Sequence, residues 1–579
     1  PNFRPLYPTG PRQIILSSTG ASAPAIGAAV PDDLNGVARL NPERVRSGGF
    51  DRLTLRSRGA SDLTAAWITL EGDVQLDVAQ RLTLDAPVLV SDGGHARLTA
   101  AHVQLGTPQA FYTPVDPQTG DGSLLVQAQH VDLIGTLALR GFGSDASGVS
   151  VAPVRIESEG DIRLIGGDQI DPRSDGIFSI GRLNSAADVT LRADQVYTAT
   201  ATDFTVSVPD GKITIQPGGT SKAPLSAGSK LTLAAADIEQ NGTLRAPFGR
   251  IELNAGTKLV LGEGSVTSVS GSGQVVPFGK TEFGEDWLYP LGSFQGGYTA
   301  PPEKRVTLKA PEITLASGSV VDVTGGGDLL AREHLPGPGG SYDILNAAHA
   351  NGAFAIVPTQ NNPFGSYDPS LSAGSPVKSG DTIYMAGGGP LPAGEYAMLP
   401  AGYALLPGAY LVTPLVKTAA PVPGQAVQQF TGSAIVAGQR GVAGTGAHDS
   451  LWSAFLVENG AQIRNRAEYL ESRADNFFAA NAGRRNRDAG QLVIDAGAAL
   501  ALGGTLASNA TGGRGSEVDI LADNLAVVTS YTGAGDRVEL LGSGLNNLHA
   551  DSLLLGATRQ RQGKDDVFDV RATAVTVES

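Results

Sequence analysis

The sequence predicts an all-β protein, a right-handed parallel β-helix carrying an inserted, mostly irregular lobe. Three observations lead to this prediction. A ten-residue strand motif recurs along the chain, turn-forming residues separate its copies, and the motif is missing between residues 328 and 490. The 579 residues include 76 glycines, 35 prolines and only 6% aromatic residues. This composition is typical of many short strands joined by frequent turns.

The motif is clearest at residues 306–315, which read Val-Thr-Leu-Lys-Ala-Pro-Glu-Ile-Thr-Leu. Val306, Leu308 and Ala310 alternate at the period of a strand, so their side chains share one face. A two-residue corner then shifts the alternation, and Ile313 returns to that face. Further copies begin at Leu82, Ala96, Leu124, Val189, Leu231 and Val518, with looser copies at Ile251 and Leu492. A bent strand of this kind buries its apolar face by stacking on other copies, which predicts a parallel β-helix.

The distribution of the motif divides the chain into six segments. We expect an extended lead-in at 1–50, coils at 51–271, an aromatic loop insert at 272–304, a coil at 305–327, a non-repetitive lobe with a short helix at 328–490, and coils at 491–579. The lead-in contains one possible strand at 14–16. Within the lobe, residues 468–482 are the best helix candidate, with Gly483 as its stop signal.

Charge and composition exclude several classes of function. The formal net charge of −15 argues against a nucleic-acid partner, which would call for a basic face. The absence of cysteine excludes disulfides, thiolate catalysis and cysteine metal sites. No run of 18 apolar residues occurs, so we expect no membrane span. Because the chain begins at Pro1 without a signal pattern, we expect it to be part of a longer protein.

One acidic cluster is a candidate catalytic site. Asp168, Asp171, Arg173 and Asp175 fall within ten residues. Enzymes that cleave polysaccharides use paired carboxylates, so a β-helical lyase or hydrolase is one interpretation. A plain turn rich in Asp, Pro and Gly is the second interpretation, and a weak cation site is the third.

The seven histidines are scattered along the sequence. His102 and His130 occupy the same position in two copies of the motif, so we expect them to stack on neighbouring coils. A stacked polar pair is favoured over a metal site. The sequence therefore assigns no catalytic, cofactor-binding or metal residue, and we expect a protein that is not an enzyme and needs no cofactor.

Aromatic residues concentrate outside the predicted coils. The insert contains Phe278, Phe283, Trp287, Tyr289 and Phe294, and the lobe contains Tyr384, Tyr396, Tyr403 and Tyr410. Since aromatic side chains are enriched at binding hot spots, we expect the insert and the lobe to make the specific contacts. The alternative is that these aromatics pack the lobe onto the coils, and this packing role is favoured for Tyr396, Tyr403 and Tyr410.

The chain resembles the filamentous haemagglutinin-like exoproteins of bacterial two-partner secretion. The resemblance rests on the ten-residue motif, on Ser-Gly-Ser-Val-Val-Asp-Val-Thr-Gly-Gly-Gly at 317–327, and on Leu-Pro-Ala-Gly-Tyr-Ala-Leu-Leu-Pro at 399–407. It covers most of the chain from about Leu53. The secretion domain of the family, with its Asn-Pro-Asn motifs, is not recognisable, which suggests an internal or C-terminal part of such a protein.

The resemblance implies a secreted rod on the surface of a Gram-negative bacterium, exported by an outer-membrane transporter partner. Such rods mediate attachment to cells, host tissue or matrix, or display an effector. The implied ligand is a polysaccharide, a host-cell receptor or a bacterial receptor. A rod that delivers a contact-dependent toxin and a β-helical carbohydrate-active enzyme remain the alternatives.

Overall fold

The structure of the protein is a computed structural model. It describes residues 12–19, 27, 29, 34–59, 66–109, 116–143, 152–337, 341–360, 362–479, 483–533, 535–562 and 565–578. Within these ranges the chain is built predominantly of strands, as the sequence predicts.

In the described part of the chain, 27 strands join one large sheet. They are Arg12–Ser17, Val37–Leu40, Arg52–Arg56, Ala66–Glu71, Val74–Asp77, Arg81–Asp85, Val88–Asp92, His95–Leu105, Ser123–Ile134, Thr136–Arg140, Val154–Ser158, Asp161–Ile165, Ile170–Arg173, Gly176–Ser185, Val189–Ala193, Gln195–Thr198, Thr202–Pro217, Lys230–Gln240, Thr243–Arg245, Arg250–Leu261, Val266–Ser268, Arg305–Leu315, Val320–Asp322, Gln491–Leu502, Thr505–Ala507, Glu517–Leu521 and Ser552–Leu555. Neighbouring strands pair in parallel, except for the hairpin that joins Ile170–Arg173 to the next strand.

The ten-residue motif forms a bent strand with its alanine inside, which confirms the prediction. Val306, Leu308 and Ala310 are buried, the corner residues Pro311 and Glu312 are exposed, and the following isoleucine is buried again. The register with the next strand skips at this corner. The other motif alanines are also buried: Ala86, Ala100, Ala128, Ala193, Ala235 and Ala522.

Inward-facing side chains, apolar except for Thr267, stack in three ladders through the sheet. The first contains Leu231, Ile251, Val306, Leu492 and Val518. The second contains Ile238, Leu259, Ile313 and Leu500. The third contains Leu244, Thr267, Val321 and Leu506. From residue 231 to residue 506 the chain visits the ladders in this order four times, and each round adds one residue to each ladder.

The lobe interrupts this order without disturbing the ladders. Strand Arg305–Leu315 pairs directly with Gln491–Leu502, although most of the lobe lies between them in sequence. The intervening chain therefore leaves the sheet and rejoins it one layer later.

The start of the described chain belongs to the large sheet. Strand Arg12–Ser17 confirms the strand predicted at 14–16, and it pairs with Ala66–Glu71. Helix Pro42–Ser47 follows, which corrects the expectation of a purely extended lead-in. Asn41 caps this helix by accepting a hydrogen bond from the Glu43 backbone N–H, and proline fits its first position. Residues 1–11, 20–26, 28 and 30–33 of the predicted lead-in lie outside the described residues.

The aromatic insert is a small sheet, and its prediction as a loop is wrong. Its strands are Val275–Pro277, Lys280–Glu282, Asp286–Leu291 and Phe294–Tyr298, of which the last three form an antiparallel sheet. Gly284 and Gly292 have positive φ and lie in the two tight turns that join these strands.

The lobe is an ordered sheet, so its prediction as mostly irregular is also wrong. Nine described strands form it: Phe354–Ile356, Asp381–Met385, Gly394–Ala397, Leu399–Pro400, Tyr410–Pro414, Ala426–Gln428, Ala434–Val442, Ala447–His448 and Ser453–Asn459. All of their pairings are antiparallel. These strands are short and several pair with partners far along the chain, so local sequence patterns did not reveal them.

The helix predicted at 468–482 is wrong over most of its length. Glu468–Arg473 is a strand that pairs antiparallel with Asp328–Leu335, and only Ala474–Phe477 is helical. Residues 480–482 lie outside the described ranges. Pairing with Asp328–Leu335, at the start of the lobe, overrides the local helix preference.

Short helices and a terminal group of strands complete the description. The other helices are Pro369–Ser372, Gly460–Arg466 and Gly542–Asn547, with a 3₁₀ turn at Ala401–Leu405. The remaining strands are Asn524–Val528, Val538–Leu541, Ala557–Gln562, Asp565–Val570 and Ala574–Val577. Within the described ranges, every helix is too short or too polar to cross a membrane.

Three apolar cores hold these parts together. One runs through the large sheet and contains the three ladders. A second joins the aromatic insert, the lobe and one side of the sheet, through Phe248, Phe278 and Trp287 among others. A third lies inside the lobe sheet around Phe354 and Phe455. The second core fixes the lobe against the sheet.

Candidate functional site

An exposed aromatic cluster lies on the outer face of the lobe sheet. Tyr384 is 36% exposed, whereas its strand neighbours Ile383 and Met385 are buried. Because side chains alternate along a strand, this burial directs Tyr384 outward. Its ring centroid lies 6.2 Å from that of Trp452 and 6.3 Å from that of His448. We call Tyr384, His448 and Trp452 the aromatic patch.

Polar side chains border the aromatic patch. Glu395 and Gln439 lie opposite Tyr384 on the two adjacent strands. His448 Nε2 is 3.8 Å from Glu395 Oε1, and Gln439 Nε2 donates to the Asp449 carbonyl at 2.7 Å. Flat apolar rings edged by an amide and a carboxylate suit a ligand that has both an apolar face and hydroxyl groups, such as a sugar ring.

A cavity of about 330 Å³ adjoins the patch. His448 belongs to both, and the charged residues around the cavity are Arg52, Asp381, Arg440 and Asp449. Because these side chains carry both signs of charge, the cavity can receive polar substituents of a ligand that rests on the patch.

The sequence identified Tyr384 but missed His448 and Trp452. Both precede the last strand of the lobe, and antiparallel pairing brings them beside Tyr384. No local sequence pattern indicates that Trp452, a single tryptophan after a turn, lies beside Tyr384.

Phe278, Trp287 and Tyr289 of the insert are buried, so their prediction as contact residues is wrong, whereas the burial of Tyr403 agrees with the packing role favoured for it. Phe278, Trp287, Tyr289 and Tyr403 are at most 2% exposed and belong to the core between the lobe and the sheet. The Tyr289 hydroxyl donates to Asp368 Oδ1 at 2.8 Å. These residues pack the lobe onto the sheet, which was the alternative interpretation.

The remaining aromatics divide between half-buried and exposed positions. Tyr396 and Tyr410 are half-buried, and their hydroxyls donate to the carbonyls of Pro392 and Pro390. Phe283 and Phe294 of the insert are exposed. The three repeated tyrosines of the lobe therefore do not form one surface.

The acidic cluster is a salt-bridged hairpin. Arg173 Nε donates to Asp171 Oδ2 at 2.8 Å, and Arg173 Nη1 donates to Asp203 Oδ2 at 2.7 Å. Asp175 pairs with Arg250 at 2.5 Å. Burial raises the pKa of Asp168, and the positive charge of Arg58 partly opposes this rise. Three of the four candidate side chains are thus engaged in ion pairs that hold the hairpin.

His102 and His130 stack on adjacent strands, as the sequence predicts. They are directly paired in register, and their ring centroids lie 5.4 Å apart. Their possible metal-ligating atoms and those of Asp132 fall within 4.8 Å of one another. Arg163 joins this group on the next strand, because Asp132 and Arg163 are also paired in register.

Asp132 is saturated with hydrogen bonds, which disfavours a metal at this cluster. Oδ1 accepts from His130 Nε2 at 3.1 Å and from Arg163 Nε at 2.8 Å. Oδ2 accepts from His102 Nε2 at 2.9 Å and from Arg163 Nη2 at 3.0 Å. A metal would have to displace a bidentate guanidinium from a buried carboxylate, so the geometry favours a structural role.

Electrostatics keep the two imidazoles neutral. Burial lowers the pKa of His102 and lowers that of His130 to about 4. Burial by itself raises the pKa of Asp132, but Arg163 and the imidazoles outweigh it and hold the value well below its usual range. Arg81 Nε lies 3.2 Å from His102 Nδ1, so this nitrogen accepts and His102 Nε2 carries the proton.

The cluster fastens the lobe to the sheet. Arg163 Nη1 donates to the Gly365 carbonyl at 2.8 Å, and Arg163 Nη2 donates to Ser379 Oγ at 2.7 Å. The Phe364 ring stacks on His130 with centroids 4.7 Å apart. We call His102, His130, Asp132 and Arg163 the polar clamp. Stacking of motif copies could have located Asp132 beside Arg163, but nothing local indicated that the lobe covers them.

Comparisons with protein families, curated proteins and solved structures found no match to this chain.

Proposed function

We propose that the chain is an adhesive segment of a large secreted surface protein and that its stacked strands form a right-handed parallel β-helix. The three apolar ladders, visited in a repeated order, support the β-helix. Parallel strands joined by a crossover are almost always connected in the right-handed sense, which supports the handedness. An experimental structure with left-handed connections between the ladders would contradict this assignment.

The resemblance to filamentous haemagglutinin-like exoproteins supports the location and the route. In this proposal an outer-membrane transporter exports the chain, and the rod stands on the surface of a Gram-negative bacterium. The lack of cysteine suits such export, because stray disulfides would obstruct an unfolded chain in the periplasm.

The observation that carries the adhesive role is the aromatic patch on a lobe held rigidly against the sheet. Exposed, clustered aromatic rings with a polar rim are characteristic of binding surfaces. Here the ligand is a polysaccharide of a host cell, a bacterium or a matrix, whose sugar rings lie on Tyr384 and Trp452. The stacked sheet then acts as a spacer that presents the lobe.

A glycan array tests this role. The double variant Tyr384→Ala, Trp452→Ala removes the exposed ring of Tyr384 and the half-buried ring of Trp452. It should reduce binding at least tenfold, because stacked aromatic contacts contribute about 1 kcal/mol or more each. Tyr342→Ala is the matched control, since Tyr342 is a 73% exposed aromatic of the lobe outside the patch. Equal binding by the double variant and the control would refute the assignment of the patch.

A turnover assay separates this proposal from a carbohydrate-active enzyme. The fragment is incubated with acidic and neutral polysaccharides, and new reducing ends or unsaturated products are measured. We expect no turnover, because the acidic hairpin is engaged in ion pairs. Turnover that Asp171→Asn abolishes would overturn the non-enzymatic role.

A further inference from the structure

A cavity of about 570 Å³ lies where the chain returns from the lobe to the large sheet. The segments that lead into strands Arg305–Leu315, Gln491–Leu502 and Glu517–Leu521 form much of its wall. These strands are neighbours in register, so the segments before them lie side by side. The cavity shares no lining residue with the aromatic patch or the polar clamp. Its volume is typical of pockets that hold small organic ligands.

Positive charges outnumber negative charges around this cavity by one. Five cationic side chains line it: Lys304, Arg484, Arg485, Arg514 and Arg559. Four carboxylates line it as well: Asp175, Glu303, Asp488 and Glu517. Arg250, which pairs with two of these carboxylates, and Asp519, which pairs with Arg559, lie outside the lining and do not change the difference. A concave site with one excess positive charge favours a ligand that carries one negative charge.

Arg484 is the cation that can receive this negative charge. Its Nε donates to the Pro301 carbonyl at 2.6 Å, which holds the guanidinium at the cavity wall. Within the described ranges, Arg484 forms no ion pair, and its two Nη nitrogens have no hydrogen-bond partner. Neither nitrogen is among the fully buried polar atoms that lack a partner, so both are accessible. Burial lowers the pKa of Arg484 although Glu303 and Asp175 oppose this, so their charges do not compensate the guanidinium fully.

Lys304 supplies a second cation that forms no ion pair in the part of the chain that the structure describes. It is 6% exposed, and its Nζ donates to the carbonyls of Asn486 and Asp488 at 2.7 and 2.6 Å. An ammonium group has three N–H donors, so these two contacts leave one unused. Burial lowers the pKa of Lys304 to about 8, against the opposing charge of Asp488. A bound anion would therefore offset the burial of this ammonium group.

The carboxylates of the lining indicate a ligand that also carries hydroxyl groups. The side chains of Asp175 and Glu303 are partly exposed, and each pairs with Arg250. A carboxylate can accept about four hydrogen bonds, so each retains capacity for a hydroxyl donor. These carboxylates would repel a phosphate dianion, and a neutral sugar would leave the Arg484 Nη nitrogens without an anionic partner. A guanidinium is a planar fork that matches a carboxylate, so the ligand that fits is a sugar acid.

We propose that this cavity binds a uronic acid residue of an acidic polysaccharide. Arg484 donates to the carboxylate of the sugar through its two Nη nitrogens, Lys304 adds a second positive charge, and Glu303 accepts from the sugar hydroxyls. The inference rests on the proposed function and deepens it, because it names the class of polysaccharide. The cavity and the aromatic patch are then two separate contacts for glycans.

Isothermal titration calorimetry of the full chain with trigalacturonate tests this site. We expect saturable binding of trigalacturonate and no binding of galactotriose, which has similar hydroxyl-bearing rings without the carboxylates. Arg484→Gln removes the charge and should weaken binding at least tenfold, because charge-assisted hydrogen bonds are lost. Arg484→Lys keeps the charge without the planar fork and should bind with an intermediate affinity. The melting temperature of each variant shows whether it folds.

Arg97→Gln is the matched control, because Arg97 is an exposed arginine on the distant strand His95–Leu105. We expect it to bind trigalacturonate as the unaltered chain does. The site is refuted if trigalacturonate does not bind, if Arg484→Gln binds it with unchanged affinity, or if galactotriose binds equally well. Tighter binding of a sulfated galactose trisaccharide would overturn the carboxylate as the recognised group. These sugar comparisons use the unaltered chain, so they decide the matter even if a variant fails to fold.

Failure of this site and failure of the proposed function give different results. If the unaltered chain binds array glycans through the aromatic patch but does not bind trigalacturonate, only the inference about the cavity fails. The opposite result is trigalacturonate binding that depends on Arg484, together with equal array binding by the patch double variant and Tyr342→Ala. In that case the cavity site stands and the assignment of the patch fails.

Discussion

The polar clamp makes the attachment of the lobe sensitive to acid. His130 is fully buried and neutral, and burial lowers its pKa to about 4 from about 6.5 in an unfolded chain. An unfolded or detached state therefore binds a proton more readily between these two values. Stability is fully present above pH 6.5 and is lost as the pH falls through 4.

The size of the effect follows from the shift in pKa. A His130 pKa of about 4 in place of about 6.5 corresponds to about 3 kcal/mol of stability. His130 alone should therefore lower the free energy of unfolding by about this amount by pH 4. His102 acts in the same direction, since burial also lowers its pKa. Asp132 stays ionised above pH 4, because its pKa lies well below the usual range, so it causes no further loss of stability there. Arg81 and Arg163 face the imidazoles and stay charged throughout, and their charge opposes imidazole protonation.

Hydrogen exchange of residues 362–379 at pH 7 and pH 4.5 measures this loss at the place where it acts. The variant His130→Gln retains a side-chain N–H donor near Asp132 and does not titrate, so it should remove most of the acid response. His95→Gln is the control, because His95 is exposed. An unchanged acid response in His130→Gln would refute the role of burial at this histidine.

Three further changes test the packing of the sheet and the clamp. Ala310→Asp places a charge in the apolar stack and should cost about 3–5 kcal/mol, visible as a lower melting temperature; an unchanged value would mean that Ala310 is not inside. Arg163→Met leaves Asp132 buried without its guanidinium and should cost about 3–5 kcal/mol in urea unfolding, whereas a neutral result would show that the pair is dispensable. Gly135→Ala would place a Cβ 2.0 Å from the Thr107 carbonyl oxygen, at a residue whose φ is +57°. We expect the free energy of unfolding, measured by calorimetry, to fall by about 2 kcal/mol or more. Wild-type stability would mean that this turn can relax.

The predictions that proved wrong share one physical origin. The strand at Glu468–Arg473 has the composition of a helix, yet it pairs with Asp328–Leu335 because that partner offers a complete ladder of hydrogen bonds. Likewise, the sequence places Trp287 and Tyr289 among the contact residues, because aromatics suit both interfaces and cores. Composition does not distinguish these two uses, and only the docking of the lobe buries both side chains.

By itself the sequence determined that strands stack and which side chains face inward. The alternation of Val306, Leu308 and Ala310, together with the corner before Ile313, encodes this locally, because each side-chain direction depends only on the pleat and the bend. Stacking of identical motifs also predicted that His102 lies on His130. Only the tertiary structure decided which segments of the chain pack over which other segments. The polar clamp under the lobe and the aromatic patch both join residues far apart in sequence, and no local pattern records the partner across such a contact.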